Sequence, residues 1–266
     1  TLTSEATQVV KKFCKHKIIF FSFSADKNLA GECVYLINFF PEDDLVALFN
    51  FFPIDSKIAL LYPKNYYGNN INKIIDPIAL KSGSIIISRA SYKEDLSDAR
   101  EAIKKLGKYE LRKFELERQK KILKKKDDEI SKNALKKIQK FETIGNVDFT
   151  HLILPDYGIR LLEIAPLLPF YDVDPNKVQF IGTGVWDDEL FFDDPSLQGA
   201  IFSGIEKNKR DQFINDYFDI YQDNPMRTAT IPFDLMGIIS YIIDSNLSVE
   251  ETYSLLNDSS IKFDGI

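Results

Sequence analysis

The chain has 266 residues, of which 44% are hydrophobic and 28% are charged. These proportions are typical of globular proteins, and the length suffices for one large domain or two lobes of about 100 to 150 residues. The sequence has no apolar stretch of about 18 residues that would predict a membrane span, and its net charge of −6 weakly disfavours a nucleic-acid-binding protein.

Helix and strand alternate from the start of the chain. Thr3 and Ser4 precede a run of helically spaced apolar residues, so either hydroxyl can cap a first helix that extends to about residue 15. Short apolar strands are predicted at residues 17–23 and 33–37. Pro41 then occupies the first position of a helix over residues 42–52.

Two later stretches share one design. The strand at residues 57–62 runs into Pro63 and then Tyr67-Gly68, and the strand at residues 149–154 runs into Pro155 and then Tyr157-Gly158. A helix over residues 66–81 and a strand over 84–88 complete a β-α-β unit, which implies a parallel sheet. Because ligands bind beyond the carboxyl ends of parallel strands, the two tyrosines are predicted to lie at the mouth of a small-molecule cleft.

The segment at residues 99–142 differs in character from its surroundings. Residues 100–140 include sixteen basic and seven acidic residues, and residues 109–143 contain neither glycine nor proline. The pattern predicts one long helix or a helical hairpin that turns near residues 126–128. This insertion is either a solvated part of the surface or a docking arm for an acidic partner or an anionic membrane surface.

After this insertion the predicted elements change from mixed to helical. A helix over residues 159–170, a strand over 178–181 ending in Gly182-Thr183-Gly184 and a strand at 199–203 come first. Helices at 207–221, 229–245 and 249–257 follow.

Residues that would support enzymatic chemistry are few. His16 and His151 are the only histidines, neither has a metal-ligand spacing, and no nucleophile elbow or glycine-rich phosphate loop is present. We therefore predict a non-enzymatic protein without metal or cofactor. Cys14 and Cys33 could form a disulfide or be two buried thiols, and buried thiols are the favoured interpretation.

Five short motifs together indicate a family. The order T-S-E-A-T-Q (3–8), I-I-F-F-S-F-S-A-D (18–26), Y-P-K-N-Y-Y-G (62–68), L-P-D-Y-G (154–158) and F-I-G-T-G-V-W-D-D (180–188) resembles type 1 periplasmic binding proteins of the leucine/isoleucine/valine-receptor branch. The motifs W-D-D (186–188) and L-Q-G-A (197–200), together with the charged insertion, resemble the penicillin-binding protein activator subgroup.

The resemblance implies an α/β protein with two Rossmann-like lobes, each with a parallel sheet. Lobe one would comprise residues 1–53 and 206–266. Lobe two would comprise residues 54–205, with the helical insertion at 99–142. The first β-α repeats of lobe one and the last strands of the family have no counterpart here, and the chain opens at Thr1 without methionine. We therefore expect a fragment of a longer protein with lobe one incomplete.

The resemblance also implies a set of ligand-binding residues. Ser4 matches the position where a hydroxyl and a helix N-terminus meet a ligand carboxylate, which free amides and the helix dipole favour physically. Tyr67 and Tyr157 match the aromatic residues of lobe two that cover the ligand. The remaining predicted contacts lie in two loops and are Ser24, Ala25, Asp26, Trp186 and Asp187.

Each of these residues also has a purely structural interpretation. Ser4 could be a plain helix cap, Asp26 a turn former, Trp186 a core residue, and the tyrosines could pack on a lobe surface. One departure from the family concerns the substrate ammonium, because Gly184 stands where amino-acid receptors carry a carboxylate. Asp187 or Asp188 could substitute, since a buried ammonium needs a partner.

Two functions are compatible with these observations. The first is a periplasmic solute receptor that delivers an amino acid or related carboxylate to an ABC transporter, with lobe closure as the signal. The second is an envelope lipoprotein that regulates a peptidoglycan synthase through its outer surface. Both predict a periplasmic location and no nucleic-acid partner, and they leave lipid anchoring and the ligand's identity open.

Overall fold

A computed structural model describes residues 4–266, and Thr3, the alternative cap of the first helix, lies outside the described residues. In chain order the elements are α1 (Ser4–Lys11), β1 (Phe20–Ser22), β2 (Val34–Leu36), α2 (Pro41–Phe51), β3 (Lys57–Pro63), α3 (Tyr66–Ser82), β4 (Ile85–Tyr92), α4 (Ala99–Leu106), α5 (Tyr109–Lys124), α6 (Glu129–Ile138), β5 (His151–Ile153), α7 (Gly158–Ile164), α8 (Leu167–Phe170), β6 (Gln179–Gly182), α9 (Glu189–Phe192), β7 (Ile201–Phe202), α10 (Lys207–Tyr221), α11 (Thr230–Asp244) and α12 (Val249–Asn257).

The polypeptide divides into two compact units. The first comprises the described residues up to Phe40 together with Ile205–Ile266, and the second comprises Pro41–Gly204. Helix α2 belongs to the second unit because its apolar face, with Leu45 and Phe49, shares a buried cluster with Ile71 and Ile75 of α3. The lobe boundaries predicted after residues 53 and 205 stay a prediction.

The second unit is built on a five-stranded parallel sheet with the strand order β4-β3-β5-β6-β7. Strand β3 is deeply buried, and its side chains Ile58 and Leu61 are fully enclosed. This is expected for a strand that is covered on both faces. The side chains on one face of the sheet pack against α2 and α3, and those on the other face pack against α4, α7 and α8. Because all five strands are parallel, their carboxyl ends lie at one edge of the sheet.

The first unit contains a two-stranded parallel sheet of β1 and β2, in which Phe20 pairs with Val34 and Ser22 with Leu36. The long helices α10, α11 and α12 belong to the same unit. Cys14 and Cys33 form a disulfide with a Cα–Cα distance of 5.3 Å, so the preference for buried thiols was wrong. Phe20 N donates to Cys33 O, which places the strand that follows Cys14 directly against Cys33.

The basic insertion is a helical hairpin preceded by a separate helix, and a single long helix is excluded. Helices α4 and α5 are separated at Gly107 and Lys108, the second of which has a φ of 49°. The chain then turns between α5 and α6, where the Asp128 side chain caps α6 by accepting from Ser131 N. The helix predicted over residues 159–170 is also divided into α7 and α8, because Pro166, which lacks an amide proton, lies between them.

Candidate functional site

The carboxyl ends of β3, β5 and β6 are neighbours because these strands are adjacent in the sheet. The residues that follow them are therefore brought to one edge, where Tyr67, Tyr157 and Thr183 meet. Tyr67 and Tyr157 have ring centroids 6.4 Å apart in an edge-to-face arrangement, a favourable geometry for aromatic rings. The predicted proximity of the two tyrosines is thus present within the second unit.

A hydrogen bond fixes the Tyr67 ring. The Tyr67 hydroxyl lies 2.7 Å from Thr183 Oγ1, and Thr183 is fully buried. Tyr157 is more open, with 49% of its surface exposed. The Arg160 guanidinium lies 5.5 Å from the centroid of the Tyr157 ring, close enough for a cation–π interaction. The arrangement therefore offers one ring held by a buried hydroxyl and a second ring with an accessible surface.

The turn that carries Tyr67 depends on glycine. Asn65 caps α3 by accepting from Gly68 N at 2.9 Å, which orients the first turn of the helix. A Cβ at position 68 would lie 2.2 Å from Pro63 O, so only glycine fits between the strand end and the helix. The Pro63 and Gly68 pair of the repeated motif therefore sets the position of Tyr67.

Trp186 lies inside the second unit, with 2% of its surface exposed. Its indole Nε1 donates to Leu154 O and Asp156 O, each at 3.1 Å. A Cβ on Gly182 would lie 2.1 Å from this ring. The indole thus connects the ends of β5 and β6 and supports the edge from below, and its direct contact with a ligand stays a prediction.

A buried polar network lies beneath Tyr157. Asp156 is fully buried and accepts from the Tyr92 hydroxyl at 2.5 Å and from Arg160 Nε at 2.7 Å. Burial and the adjacent carboxylate raise the pKa of Tyr92 above its ordinary value, and hydrogen bonding to Asp156 raises the pKa of Arg160. The network stays in its neutral-tyrosine, charged-arginine form over the physiological pH range.

The sequence patterns predict no role for four residues of this edge, namely Asp156, Arg160, Tyr92 and Thr183. Asp156 and Thr183 stand inside the quoted motifs L-P-D-Y-G and F-I-G-T-G-V-W-D-D, so their position after strands was an available signal. Tyr92 ends β4, and Arg160 lies one turn into α7 from Asp156. Arg160 reaches Asp156 as a local i,i+4 pair, whereas only the strand order shows that Tyr92 reaches the same carboxylate.

Three aspartates lie near the loop after β6. Asp187 is buried, and Asp188 caps α9 by accepting from Leu190 N at 3.0 Å. The Asp44 carboxylate accepts from Gly184 N at 3.1 Å and from the Ser203 hydroxyl at 2.8 Å. Asp188 is therefore engaged in a helix cap, and a contact of Asp187 with a ligand ammonium stays a prediction.

The first unit brings its own predicted residues together. Ser4 Oγ lies 2.9 Å from Ser24 Oγ, and Ser24 Oγ also accepts from Asp26 N at 3.2 Å. Asp26 accepts from Asn28 N at 3.1 Å and caps a short 3₁₀ turn, which matches its structural interpretation. Ala25 is exposed between Ser24 and Asp26. Two hydroxyls next to the first turn of α1 form a polar group suited to a carboxylate.

His151 has a structural environment. Its ring packs on Phe52 with centroids 4.7 Å apart, and burial lowers its pKa. Across residues 4–266 the structure contains no group of three or more His, Cys, Asp or Glu side chains placed to hold a metal ion. Within the same range, every helix is too short or too polar to cross a membrane.

Comparisons with known proteins give a match at the level of structure. No family model and no curated protein matches the sequence. An ABC transporter substrate-binding protein from Desulfitobacterium hafniense has a TM-score of 0.58 at 13% identity, over 96% of this chain and 66% of that chain. The complex of such a protein from the same organism with Leu has a TM-score of 0.55 at 12% identity, over 96% and 66%.

A third structure, an amino acid ABC transporter substrate-binding protein from Pseudomonas fluorescens, has a TM-score of 0.56 at 12% identity, over 95% of this chain and 61% of that chain. The chain thus spans less than two thirds of the length of these three proteins. It has the α/β fold of type 1 periplasmic binding proteins, and the predicted fold class is confirmed. The activator subgroup and the fragment expectation stay predictions.

Proposed function

We propose that the chain is a non-enzymatic solute-binding protein that captures a small polar ligand, an amino acid or a related carboxylate, for a membrane ABC transporter. The observation that carries the proposal is the Tyr67, Tyr157 and Thr183 arrangement at the carboxyl edge of the parallel sheet. An edge of this kind is where α/β sheets bind ligands. Paired aromatic rings with a few polar groups are typical of small-molecule sites.

Each set of residues has a separate role in the proposal. Ser4 and Ser24, with the first amides of α1, would hold the ligand carboxylate. Tyr67 and Tyr157 would cover the apolar part of the ligand, and Asp187 would accept from an ammonium if the ligand has one. The similar protein that was solved with Leu supports an amino acid as the first compound to test.

The disulfide supports a location outside the cytoplasm. Disulfides persist in oxidising compartments such as the periplasm and are rare in reducing ones, and both cysteines of the chain are in this bond. We therefore propose a periplasmic or extracellular location, where a solute receptor meets its ligand before the transporter does.

The test is ligand-dependent stabilisation. Leucine, other amino acids and simple carboxylates would be screened by thermal shift, and hits measured by calorimetry. A ligand at about 100 times its Kd adds about 2.7 kcal/mol to the stability, which raises Tm by about 5 °C or more. Tyr157→Ala should weaken the affinity about tenfold, whereas Tyr66→Ala, at a residue that is 85% exposed, should leave it unchanged.

Asp187→Asn separates the two ligand classes. It should abolish binding of an amino acid and leave binding of a plain carboxylate intact, because only the ammonium needs the charge. Failure of every compound to raise Tm, together with direct binding of a peptidoglycan synthase, would instead favour the envelope-regulator function. The observation that supports this second candidate function is the exposed basic surface of α5 and α6.

A further inference from the structure

The outer surface of the α5–α6 hairpin, here residues 109–140, combines positive charge with exposed apolar side chains. Residues 118–140 include ten basic and three acidic residues, a net charge of +7 in a chain whose net charge is −6. Within this hairpin the last turn of α5 and the two residues after it carry four lysines in six residues, which we call the tip lysines. They are Lys121, Lys124, Lys125 and Lys126.

Two of the three acidic residues at positions 127–129 are engaged within the hairpin. Asp127 pairs with Lys132 at 2.6 Å, and Asp128 accepts from Ser131 N and Oγ, each at 2.8 Å. The tip lysines are exposed, and in the part of the chain that the structure describes none of them has an ion-pair partner. Their charge is therefore directed at solvent rather than neutralised by the fold.

Apolar side chains lie among these lysines. Ile122 is 48% exposed and Ile130, on the other side of the turn, is 82% exposed. Further along the same outer face of α5 are the exposed side chains of Leu111 and Phe114. At 100° per residue, Leu111, Phe114, Ile122, Arg118, Lys121 and Lys125 fall within a sector of about 100°. The face that points away from the core is therefore both basic and apolar.

We propose that the basic hairpin is a docking element for an anionic lipid surface, with the tip lysines at the headgroups and Ile122 and Ile130 inserted between them. Apolar residues flanked by lysines are the composition of interfacial membrane-binding helices. Lysine stems extend along the apolar layer while the ammonium groups stay at the headgroups. This role is independent of the small-molecule site.

The choice of a lipid surface over an acidic protein follows from the residue types. Protein interfaces are enriched in arginine and depleted in lysine, whereas polybasic lysine clusters near apolar residues are typical of elements that bind anionic lipids. Nine of the ten basic residues at 118–140 are lysine. A membrane presents a mobile array of charges that needs no fixed geometry, which suits flexible ammonium groups.

The test is sedimentation of the full 266-residue chain with vesicles. We expect binding to mixed phosphatidylglycerol and phosphatidylcholine vesicles at low salt, loss of binding at high salt, and no binding to pure phosphatidylcholine. Replacing the four tip lysines together (K121Q/K124Q/K125Q/K126Q) should weaken binding by about 100-fold or more. The matched control K12Q/K15Q/K73Q/K81Q removes four exposed lysines elsewhere and should stay within about twofold of wild type.

A second variant separates a lipid surface from a soluble acidic partner. I122S/I130S should weaken vesicle binding about tenfold while leaving any binding to soluble polyglutamate unchanged. Because all six side chains are exposed, the circular dichroism spectrum and Tm of both variants should match wild type.

Three results would overturn the proposal. They are no binding to anionic vesicles at low salt, an equal loss in the matched control, and wild-type vesicle binding by the isoleucine variant with full competition by polyglutamate. The last result would assign the surface to an acidic macromolecule. None of the hairpin variants should alter small-molecule binding, so failure here is distinguishable from failure of the solute-binding proposal.

Discussion

The Tyr67 hydroxyl lies 2.7 Å from Thr183 Oγ1, and this contact joins the first turn of α3, which follows β3, to the residue after β6. The two residues are far apart in the sequence, and neither side chain has a fixed position from its own element alone. The hydrogen bond fixes the ring that packs on Tyr157. This hydroxyl pair therefore contributes to the stability of the edge.

Tyr67→Phe tests this relationship directly. The variant keeps the ring but leaves the buried Thr183 hydroxyl without this partner, so the free energy of unfolding should fall by about 1 to 2 kcal/mol. Urea denaturation measures the change, and Tyr66→Phe, at the exposed neighbouring tyrosine, should have no effect. Equal stability of the two variants would show that the contact does not hold the ring.

Gly182→Ala tests the packing of Trp186. The added methyl group would lie 2.1 Å from the indole, and forcing the ring away should cost about 1 to 3 kcal/mol. In Gly237→Ala no heavy atom lies within 4 Å of the new methyl group, so the gain in helix propensity should stabilise the protein by about 1 kcal/mol. Tm should therefore fall in Gly182→Ala and rise in Gly237→Ala. Destabilisation by both substitutions would contradict this packing argument.

Because of Tyr92, we predict that the folded protein loses stability in alkaline solution. Its pKa in the folded protein lies above that of an unfolded tyrosine, which is about 10, because burial and Asp156 disfavour the phenolate. Its contribution is complete below pH 10 and is lost as the pH rises above that value, since the unfolded chain then releases a proton that the folded protein retains.

The measurement is the free energy of unfolding at a series of alkaline pH values. Tyr92→Phe should reduce the downward slope above about pH 10, even though it also lowers stability at neutral pH. Tyr109, whose pKa is raised to about 12 by burial and Glu142, contributes to the slope that remains. An unchanged slope in Tyr92→Phe would contradict the assignment.

We predict that the stability of the protein depends on whether the disulfide is oxidised or reduced. Cys14 and Cys33 close a loop with a sequence separation of 19, and opening it should cost about 3 kcal/mol. A reducing agent should therefore lower Tm of the wild-type chain and leave that of Cys14→Ser/Cys33→Ser unchanged. Detection of two free thiols in the native, unreduced protein would refute the bond.

Local sequence patterns predict the order and type of the main elements. Apolar runs with flanking proline and glycine located β3 and β5, and the strand-helix alternation indicated a parallel α/β sheet. The repeated Pro and Tyr-Gly motif also placed Tyr67 and Tyr157 at strand ends, because these signals are local in the chain. The bounds of α10 and α12 agree with the predicted ranges for the same reason.

Contacts between residues that are distant in the sequence depend on the packing of the folded chain. The sheet order places β5 between β3 and β6, and this order determines that Thr183 bonds Tyr67 and that Tyr92 bonds Asp156. The Cys14–Cys33 bond and the burial of Trp186 likewise depend on packing between segments that are separate in the sequence. Local propensity carries no information about such pairs, because their energy arises only when the core brings the segments together.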